Sequence, residues 1–433
     1  MKSRATRLYD WVTAHPPPGP FRRAAWRSPL RGTWLTSVFG LVLLVGLPVV
    51  IITGLLSYVA YGPQYGQAFP GDVGWLHLPS FDWPTAWHSL YRVTQGLHVA
   101  LGIALIPVVL AKLWSVIPKL FTWPPAVSVK QAVERISLLM LVGGILFELV
   151  TGVLNTQYDY IFGFDFYTAH YWGAWIFIAG FVVHVGLKLP TMLRTLRTRS
   201  LRTELRTSLP ATVAEPQDEN ALAPVAPASA SLSRRGLFGL VAGSSALLTV
   251  ATLGNTVGGG SLRWTAFLSV RGQSYGDGPT DFQVNRTART AKITPAMVGP
   301  AWRLRLTGGG AERVLTREQL LAMPQHTATL PIACVEGWSS VQTWTGVRLR
   351  DLAALAGASS PHTTSVRSLE PRGAFNHATY GHGQVHDEDA LLALRVNGVD
   401  LSIDHGYPAR VIIPALPGVH QTKWVTSMDF RGA

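Results

Sequence analysis

Cysteine and charge are both scarce in this chain. One cysteine, Cys334, stands among 433 residues, so an intrachain disulfide is excluded, and neither a Cys pair nor a Cys/His zinc pattern exists. Charged residues make up 14% and apolar residues 48%, against about 25% charged in ordinary soluble domains. A disordered chain, a collagen-like chain and a disulfide-stapled scaffold are thereby excluded. No internal repeat is present.

The charge that is present is confined. The net charge is +13, but nineteen of the 37 Lys and Arg lie in three stretches, 1–32, 111–135 and 188–235. Long apolar segments separate them, and the loops at 61–86 and 156–169 hold four Asp and no Lys or Arg. That asymmetry is a membrane topology signature and argues against a nucleic-acid partner. Five stretches reach the roughly 20 residues that span hydrocarbon: 35–59, 91–116, 136–155, 168–188 and 237–257. The positive-inside rule puts the basic stretches in the cytoplasm and everything after residue 260 outside. No cleavable signal precedes the first span, so the N-terminus is expected to be retained.

Histidines supply the first chemical signal. His98 on the second span and His170 and His184 on the fourth sit in apolar helix, where an ionisable side chain marks a functional site by default. His170 and His184 fall within about 40° of one helix face, about 21 Å apart along the axis. His98 is 20 residues before Pro118 and His170 is 20 before Pro190, which matches their depths as a bis-His haem requires. His184 has only Lys112 at its own level. The competing reading of these histidines is hydrogen-bonded helix buttressing. Arg92 reads as a haem-propionate partner or a snorkelling side chain, Glu148 as a proton relay or a hydrogen-bonded carboxylate, and His88 as an interface residue.

The stretch His170-Tyr-Trp-Gly-Ala-Trp…Val-His184-Val-Gly-Leu-Lys, with His98, resembles the b-type cytochrome membrane subunits of formate dehydrogenases and hydrogenases over residues 30–190. The resemblance implies an outer haem on His98 and His170. In that family the inner haem uses a histidine near the start of the first helix. Here only His15 precedes that span, so His184 is a possible second-haem ligand without a clear partner.

Residues 207–232 are rich in Ala, Pro and Ser without apolar periodicity and are expected to be a disordered linker. They lead into Ser233-Arg234-Arg235-Gly236-Leu237-Phe238 and a weakly hydrophobic helix. That run resembles a twin-arginine export signal, and two basic residues beside any span would equally satisfy positive-inside. With no convincing cleavage site the helix is expected to stay as an anchor.

Beyond residue 260 the pattern is mixed α+β: strand-like runs start at Trp302, Ala409 and Lys423, and helical patterns cover 317–323, 349–356 and 387–394. The informative segment is Cys334-Val-Glu-Gly-Trp338-Ser followed by Trp344-Thr-Gly346-Val-Arg-Leu. A lone cysteine is commonly a small buried hydrophobe; a thiolate is also a good ligand for a soft metal. The segment is similar to the metal-binding stretch of the sulfite oxidase fold family, with further matches at Val396-Asn-Gly-Val-Asp-Leu, at His405-Gly-Tyr-Pro-Ala-Arg410-Val-Ile-Ile-Pro414 and at Lys423-Trp424. Within that family it most resembles the catalytic subunits of periplasmic methionine sulfoxide reductases, which carry Cys-Val-Glu-Ala-Trp-Ser. The resemblance implies Cys334 as the catalytic molybdenum ligand and Asn285, Arg286, His405, Arg410, Gln421, Thr422 and Lys423 as molybdopterin contacts; His405 stands where the reductases have Asn. Sulfite oxidases typically follow their cysteine with a Gly-Asn-Arg-Arg type run, absent here, which disfavours sulfite. Their additional dimerisation domain is also missing before Ala433, so no family dimer is implied.

The sequence therefore predicts a basic cytoplasmic segment (1–32), a four-helix cytochrome b bundle (33–190), a basic and Ala/Pro-rich cytoplasmic linker (191–232), a twin-arginine-like fifth anchor helix (233–259) and an extracytoplasmic α+β molybdopterin domain (260–433). The expected activity is a multi-pass membrane oxidoreductase linking molybdenum-molybdopterin and haem b to quinone or quinol, reducing a sulfoxide (methionine sulfoxide included) or N-oxide. Oxidation of a small substrate such as sulfite is the alternative, and a haem-only electron-transfer or binding protein the third. Lipid is an expected partner; nucleic acid is not.

Overall fold

The computed structural model describes Trp11, 14–66, 71–73, 76–124, 128–157, 161–218, 221–257, 265, 276–373 and 376–432. The beginning of the outer segment, around 260–275, therefore lies almost wholly outside the described residues. The chain forms two compact units: Met1–Ile51 with Leu101–Leu154 and Tyr160–Thr249, and Ile52–Ala100 with Asn155–Asp159 and Val250–Ala433.

Among the described residues, five helices are long and apolar enough to cross a membrane: Thr33–Tyr65, Leu90–Leu120, Gln131–Thr156, Phe166–Leu196 and Arg234–Gly254. As helical elements they are α1 (Thr33–Ala60), α2 (Leu90–Leu120), α3 (Val129–Thr156), α4 (Phe166–Leu196) and α6 (Arg234–Val257), with the short α5 (Leu201–Arg206) between the last two. The first unit packs Trp34, Leu35, Phe39, Leu105, Val108, Ile145, Phe177 and Val241 into one core. Val45, Leu139, Val182 and Leu240 stay exposed, as lipid-facing side chains do. Glycines let α3 and α4 approach: a Cβ on Gly144 would stand 2.9 Å from Phe177, and one on Gly180 2.9 Å from the Leu141 nitrogen.

The expectation of disorder over 207–232 is corrected here. Glu215, 8% exposed, accepts hydrogen bonds from the backbone N-H groups of Trp34 (2.8 Å) and Leu35 (3.2 Å). It thus caps the N-terminus of α1 from 180 residues away, where unpaired N-H groups and the helix dipole favour a carboxylate. Asp218 accepts from Thr33 Oγ1 at 2.5 Å, and Leu222 and Ala223 are buried. Composition hides this, because what orders the segment is a partner far away in sequence. Arg234, 1% exposed, pairs with Glu204 at 3.1 Å and donates to the Val213 carbonyl at 3.0 Å. The first arginine of the export-like pair thus has a structural role, while Arg235 stays exposed.

The second unit carries the α+β fold. One sheet has the order β10-β9-β6-β5, with β11 also pairing β9. Its strands are β5 (His326–Ala333), β6 (Ser339–Arg348), β9 (Leu391–Val396), β10 (Val399–Asp400) and β11 (Arg410–Ile412), all antiparallel. The other sheet has the order β4-β3-β12-β7-β8, built from β3 (Leu304–Gly308), β4 (Ala311–Leu315), β7 (Thr363–Ser368), β8 (His377–Gly381) and β12 (Val425–Arg431). Only the β3 and β12 pair in it is parallel. Helices α7 (Arg317–Ala322), α8 (Leu349–Leu355) and α9 (His382–His386) complete the fold, and a small hairpin, β1 (Asp72–Val73) with β2 (Leu76–His77), precedes it in the chain.

The helical patterns at 317–323 and 349–356 correspond to α7 and α8, but 387–394 does not form a helix. It enters β9, of whose residues only Arg395 is exposed. A strand buried on both faces reads as a continuous apolar run, which periodicity cannot tell from a helix.

Candidate functional site

Cys334 sits at the tip of the β5–β6 hairpin. The ladder ends with Ala333 opposite Ser339, leaving the loop Cys334–Trp338. Two backbone bonds close it: Cys334 N-H to the Trp338 carbonyl at 2.9 Å and Gly337 N-H to the Cys334 carbonyl at 3.0 Å. Gly337 adopts φ +89, a conformation that glycine takes without steric cost. Glu336 is buried and accepts from Trp338 Nε1 at 2.8 Å, so the loop presents no cation. Cys334 packs in one cluster with Phe282, Trp338, Trp344, Ile412 and the half-buried Tyr407.

The later motif folds around the same aromatic residues. His405 stacks on Phe282 at 3.7 Å and its Nε2 lies 2.8 Å from the Thr280 carbonyl. A carbonyl can only accept, so the proton is on Nε2 and Nδ1 is left as an acceptor. Burial, reinforced by the positive charges of Arg410 and Lys423, pushes the His405 pKa down to about 3, and the ring is neutral. Arg410 lies 5.3 Å over Trp344 and donates to the His405 and Gln421 carbonyls, both at 3.1 Å. Its pKa is lowered to about 9 by burial, and its Nε has no hydrogen-bond partner. Lys423 donates to the carbonyls of Arg286 (2.5 Å) and Asp404 (2.8 Å), and burial holds its pKa well below the usual lysine range.

The structure gathers most of the sequence-predicted residues. Arg286 pairs with the buried Glu370, and its neighbour Asn285 is half-buried. Gln421 spends its amide on the backbone of Ile413, at 2.8 Å in both directions, and so shapes the loop. Thr422 Oγ1 lies 3.3 Å from Tyr380 OH. An isolated bridge between Ala333 and Pro417 ties the residue before Cys334 to this late loop. Ala415 (φ +62) and Trp424 (φ +53) flank the loop in left-handed backbone, a strain that clusters at functional sites.

Sequence reasoning missed several supports. Trp83 donates to the Ala415 carbonyl at 2.9 Å, Tyr380 to the His420 carbonyl at 2.5 Å, and Gln95 to the Val335 carbonyl at 2.6 Å. Trp83 and Gln95 lie more than 200 residues from their partners, so no local spacing signals them. His420, whose Nε2 is 2.9 Å from the Tyr61 carbonyl, has its pKa lowered to about 4, mainly by burial.

The histidines of the apolar helices have different surroundings. His98, in the second unit, packs against Gly54 with Nδ1 3.4 Å from Thr53 Oγ1. His170, in the first unit, has Nδ1 2.8 Å from Thr151 Oγ1 and Nε2 3.1 Å from Glu148 Oε2. Either nitrogen reaches iron only if α3 releases it. His184 lines a cavity of about 270 Å³ with Lys112, Glu134, Lys188, Phe177 and Phe181.

Arg410 and Lys423 suit an anionic pterin cofactor. Both are buried, their hydrogen bonds go to backbone carbonyls, and neither forms an ion pair with a carboxylate among the described residues. A phosphate would satisfy the orphaned Arg410 donor and neutralise the pair. No group of three or more His, Cys, Asp or Glu that could hold a metal occurs among the described residues, so Cys334 is the metal-ligand candidate of this site.

Comparison with known proteins agrees. Residues 291–432 match the family model described as oxidoreductase molybdopterin binding domain. Mitochondrial sulfite oxidase of Drosophila melanogaster is 29% identical over 150 residues, covering 29% of this chain and 26% of that protein. The NADH nitrate reductase of Volvox carteri is 30% identical over 144 residues, 26% of this chain and 17% of its own length. This chain thus spans well under half the length of these relatives. The sulfane dehydrogenase SoxCD from Paracoccus pantotrophus matches at 26% identity over 31% of this chain and 39% of its own, with a TM-score of 0.29, too low to define a shared fold. Residues 291–432 are thus similar to oxidoreductase molybdopterin-binding domains, and that similarity indicates an enzyme.

Proposed function

We propose that this chain is a membrane-anchored molybdopterin oxidoreductase that reduces a neutral sulfoxide, methionine sulfoxide included, or an N-oxide, and exchanges electrons with the quinone pool through b-type haem. The observation that carries the reading is Cys334 at a hairpin tip tied to the 415–424 loop, beside which Arg410 and Lys423 are buried basic side chains that form no ion pair with a carboxylate among the described residues. Arg410, Lys423, His405 and the backbone of the 415–424 loop would hold the pterin, and Cys334 the molybdenum. When bound, the cofactor supplies a two-electron centre for oxygen-atom exchange, and the protein binds, orients and excludes water. Neutral His405 adds an acceptor without adding charge.

The substrate preference follows from the hairpin loop. Val335, Glu336, Gly337 and Trp338 offer no cation, and an anionic substrate such as sulfite gains nothing from them; an uncharged S=O or N-O group needs none. Reduction of a sulfoxide consumes two electrons and two protons and releases the thioether and water. The names of the sulfite oxidase relatives favour the oxidative direction as the second reading.

The haem part rests on the matched depths of His98 and His170 in the sequence. Ligation at His170 Nε2 requires the Glu148 carboxylate to move away. The placement of the catalytic domain outside rests on the charge asymmetry of the loops.

Analysis of the purified protein for molybdenum, pterin and iron tests the reading, with turnover assayed in both directions. Protein that is correctly folded and free of molybdenum refutes it; sulfite oxidation without sulfoxide reduction moves it to the second reading.

A further inference from the structure

Within the second unit, the first turns of helix α2, up to residue 100, run beside the hairpin that carries Cys334. Gln95, 4% exposed, donates from Nε2 to the Val335 carbonyl at 2.6 Å. One turn further, Val99 presses on the same loop, since a Cβ on Gly337 would stand 2.8 Å from Val99 Cβ. Only glycine at 337 allows both this approach and the φ of +89. The far end of the loop is held as well: Ser339 Oγ donates to the Thr256 carbonyl of α6 at 2.7 Å. Thr256 in turn packs on Gly96 of α2. Two helices and the 417 segment therefore grip one short loop.

Packing alone does not account for the Gln95 amide. Its Oε1 is buried without a hydrogen-bond partner, an arrangement that costs stability. A Met of the same length would fill the space without that cost. The amide supplies direction: a hydrogen bond to the Val335 carbonyl fixes the peptide that follows Cys334, and with it the heading of the hairpin tip. Gln95 and Val99 are four residues apart and His98 lies between them at i+3, so the three share one side of the helix.

We propose that Gln95 is a positioning residue for Cys334. Through the Val335 carbonyl it holds the hairpin tip in the orientation in which the thiolate meets the metal, and it makes the helix bearing His98 part of the scaffold of the molybdenum site. The proposal rests on the molybdopterin reading of Cys334, and its test separates the two.

The test uses the full chain with Gln95→Met, which keeps length and removes the donor, and Gln95→Asn, which withdraws the amide by one methylene. Cys334 is the only thiol, so maleimide labelling of metal-free protein reports on it alone. Both variants are expected to label about tenfold faster than wild type, the factor that corresponds to about 1.4 kcal/mol for one lost hydrogen bond. In metal-loaded protein both are expected to shift the Mo(V) electron paramagnetic resonance spectrum at unchanged molybdenum content. Labelling at the wild-type rate, or an unaltered spectrum at full molybdenum content, overturns the positioning role. Wild-type protein without molybdenum counts against the functional reading, and the labelling comparison then still decides the role of Gln95. If Gln95→Met does not fold, Gln95→Asn carries the comparison.

Discussion

Arg410 and Lys423 meet across Gly406. A Cβ at position 406 would stand 3.0 Å from Arg410 Cβ and 3.1 Å from Lys423 Cβ, and the glycine has φ +106. Bringing two buried cations together is electrostatically unfavourable unless an anion joins them, so the glycine sets the width of an anion cradle. Gly406→Ala is expected to cost about 1–3 kcal/mol in stability and to lower the pterin and molybdenum content of the purified protein. Denaturant melts and metal analysis check both effects; normal metal content in the variant contradicts the cradle.

Acid should destabilise the fold through its buried imidazoles. The pKa values of His405 and His420 lie at about 3 and about 4, lowered first by burial, against about 6.5 for an unfolded histidine. Between those limits the unfolded chain binds protons that the folded chain does not, so stability falls as pH drops from about 6.5 toward 4. Melting temperatures across that range should decline, and His405→Asn should flatten the slope. An equal slope in the variant rules out His405 as a contributor.

Cys334→Ser should abolish turnover and molybdenum binding with a stability change of about 1 kcal/mol or less. The loop is closed by backbone bonds of residue 334, which a serine keeps. An active, molybdenum-replete serine variant removes Cys334 from the site.

The Glu204 and Arg234 pair is buried, with side chains 8% and 2% exposed. Glu204→Gln leaves the arginine without its charge partner and should cost about 3–5 kcal/mol, read as a lower melting temperature. Arg235 is exposed, so Arg235→Lys tests export without that penalty. It should strand the outer domain in the cytoplasm if the twin-arginine reading holds; normal export of the variant rejects that reading.

For the electron path, His98→Ala and His170→Ala should each remove the low-spin b-type absorbance and quinone-linked turnover while activity with an artificial soluble donor persists. His184→Ala should leave most haem in place. Loss of about half the haem in His184→Ala would instead establish a second haem.

Local pattern alone determined a good deal. Five apolar runs, with basic stretches between some of them and Asp-bearing loops without Lys or Arg between others, are long enough to span hydrocarbon, where each helix must satisfy its own backbone, and helices among the described residues follow those runs. The motif around Cys334 was legible because a hairpin tip is built from neighbours: Cys334, Gly337 and Trp338 close their own loop. His405, Arg410 and Lys423 were legible for a similar reason, lying on one short return of the chain. What tertiary structure decided is whatever needed a distant partner. The apolar run of β9 became a strand because sheet neighbours bury both its faces. The linker around Glu215 is held because Glu215 found the open N-terminus of α1. Gln95 and Trp83 became supports of the site only when folding set them against carbonyls 240 and 332 residues away. Such bonds are specified by position in space, and composition and periodicity carry no record of it.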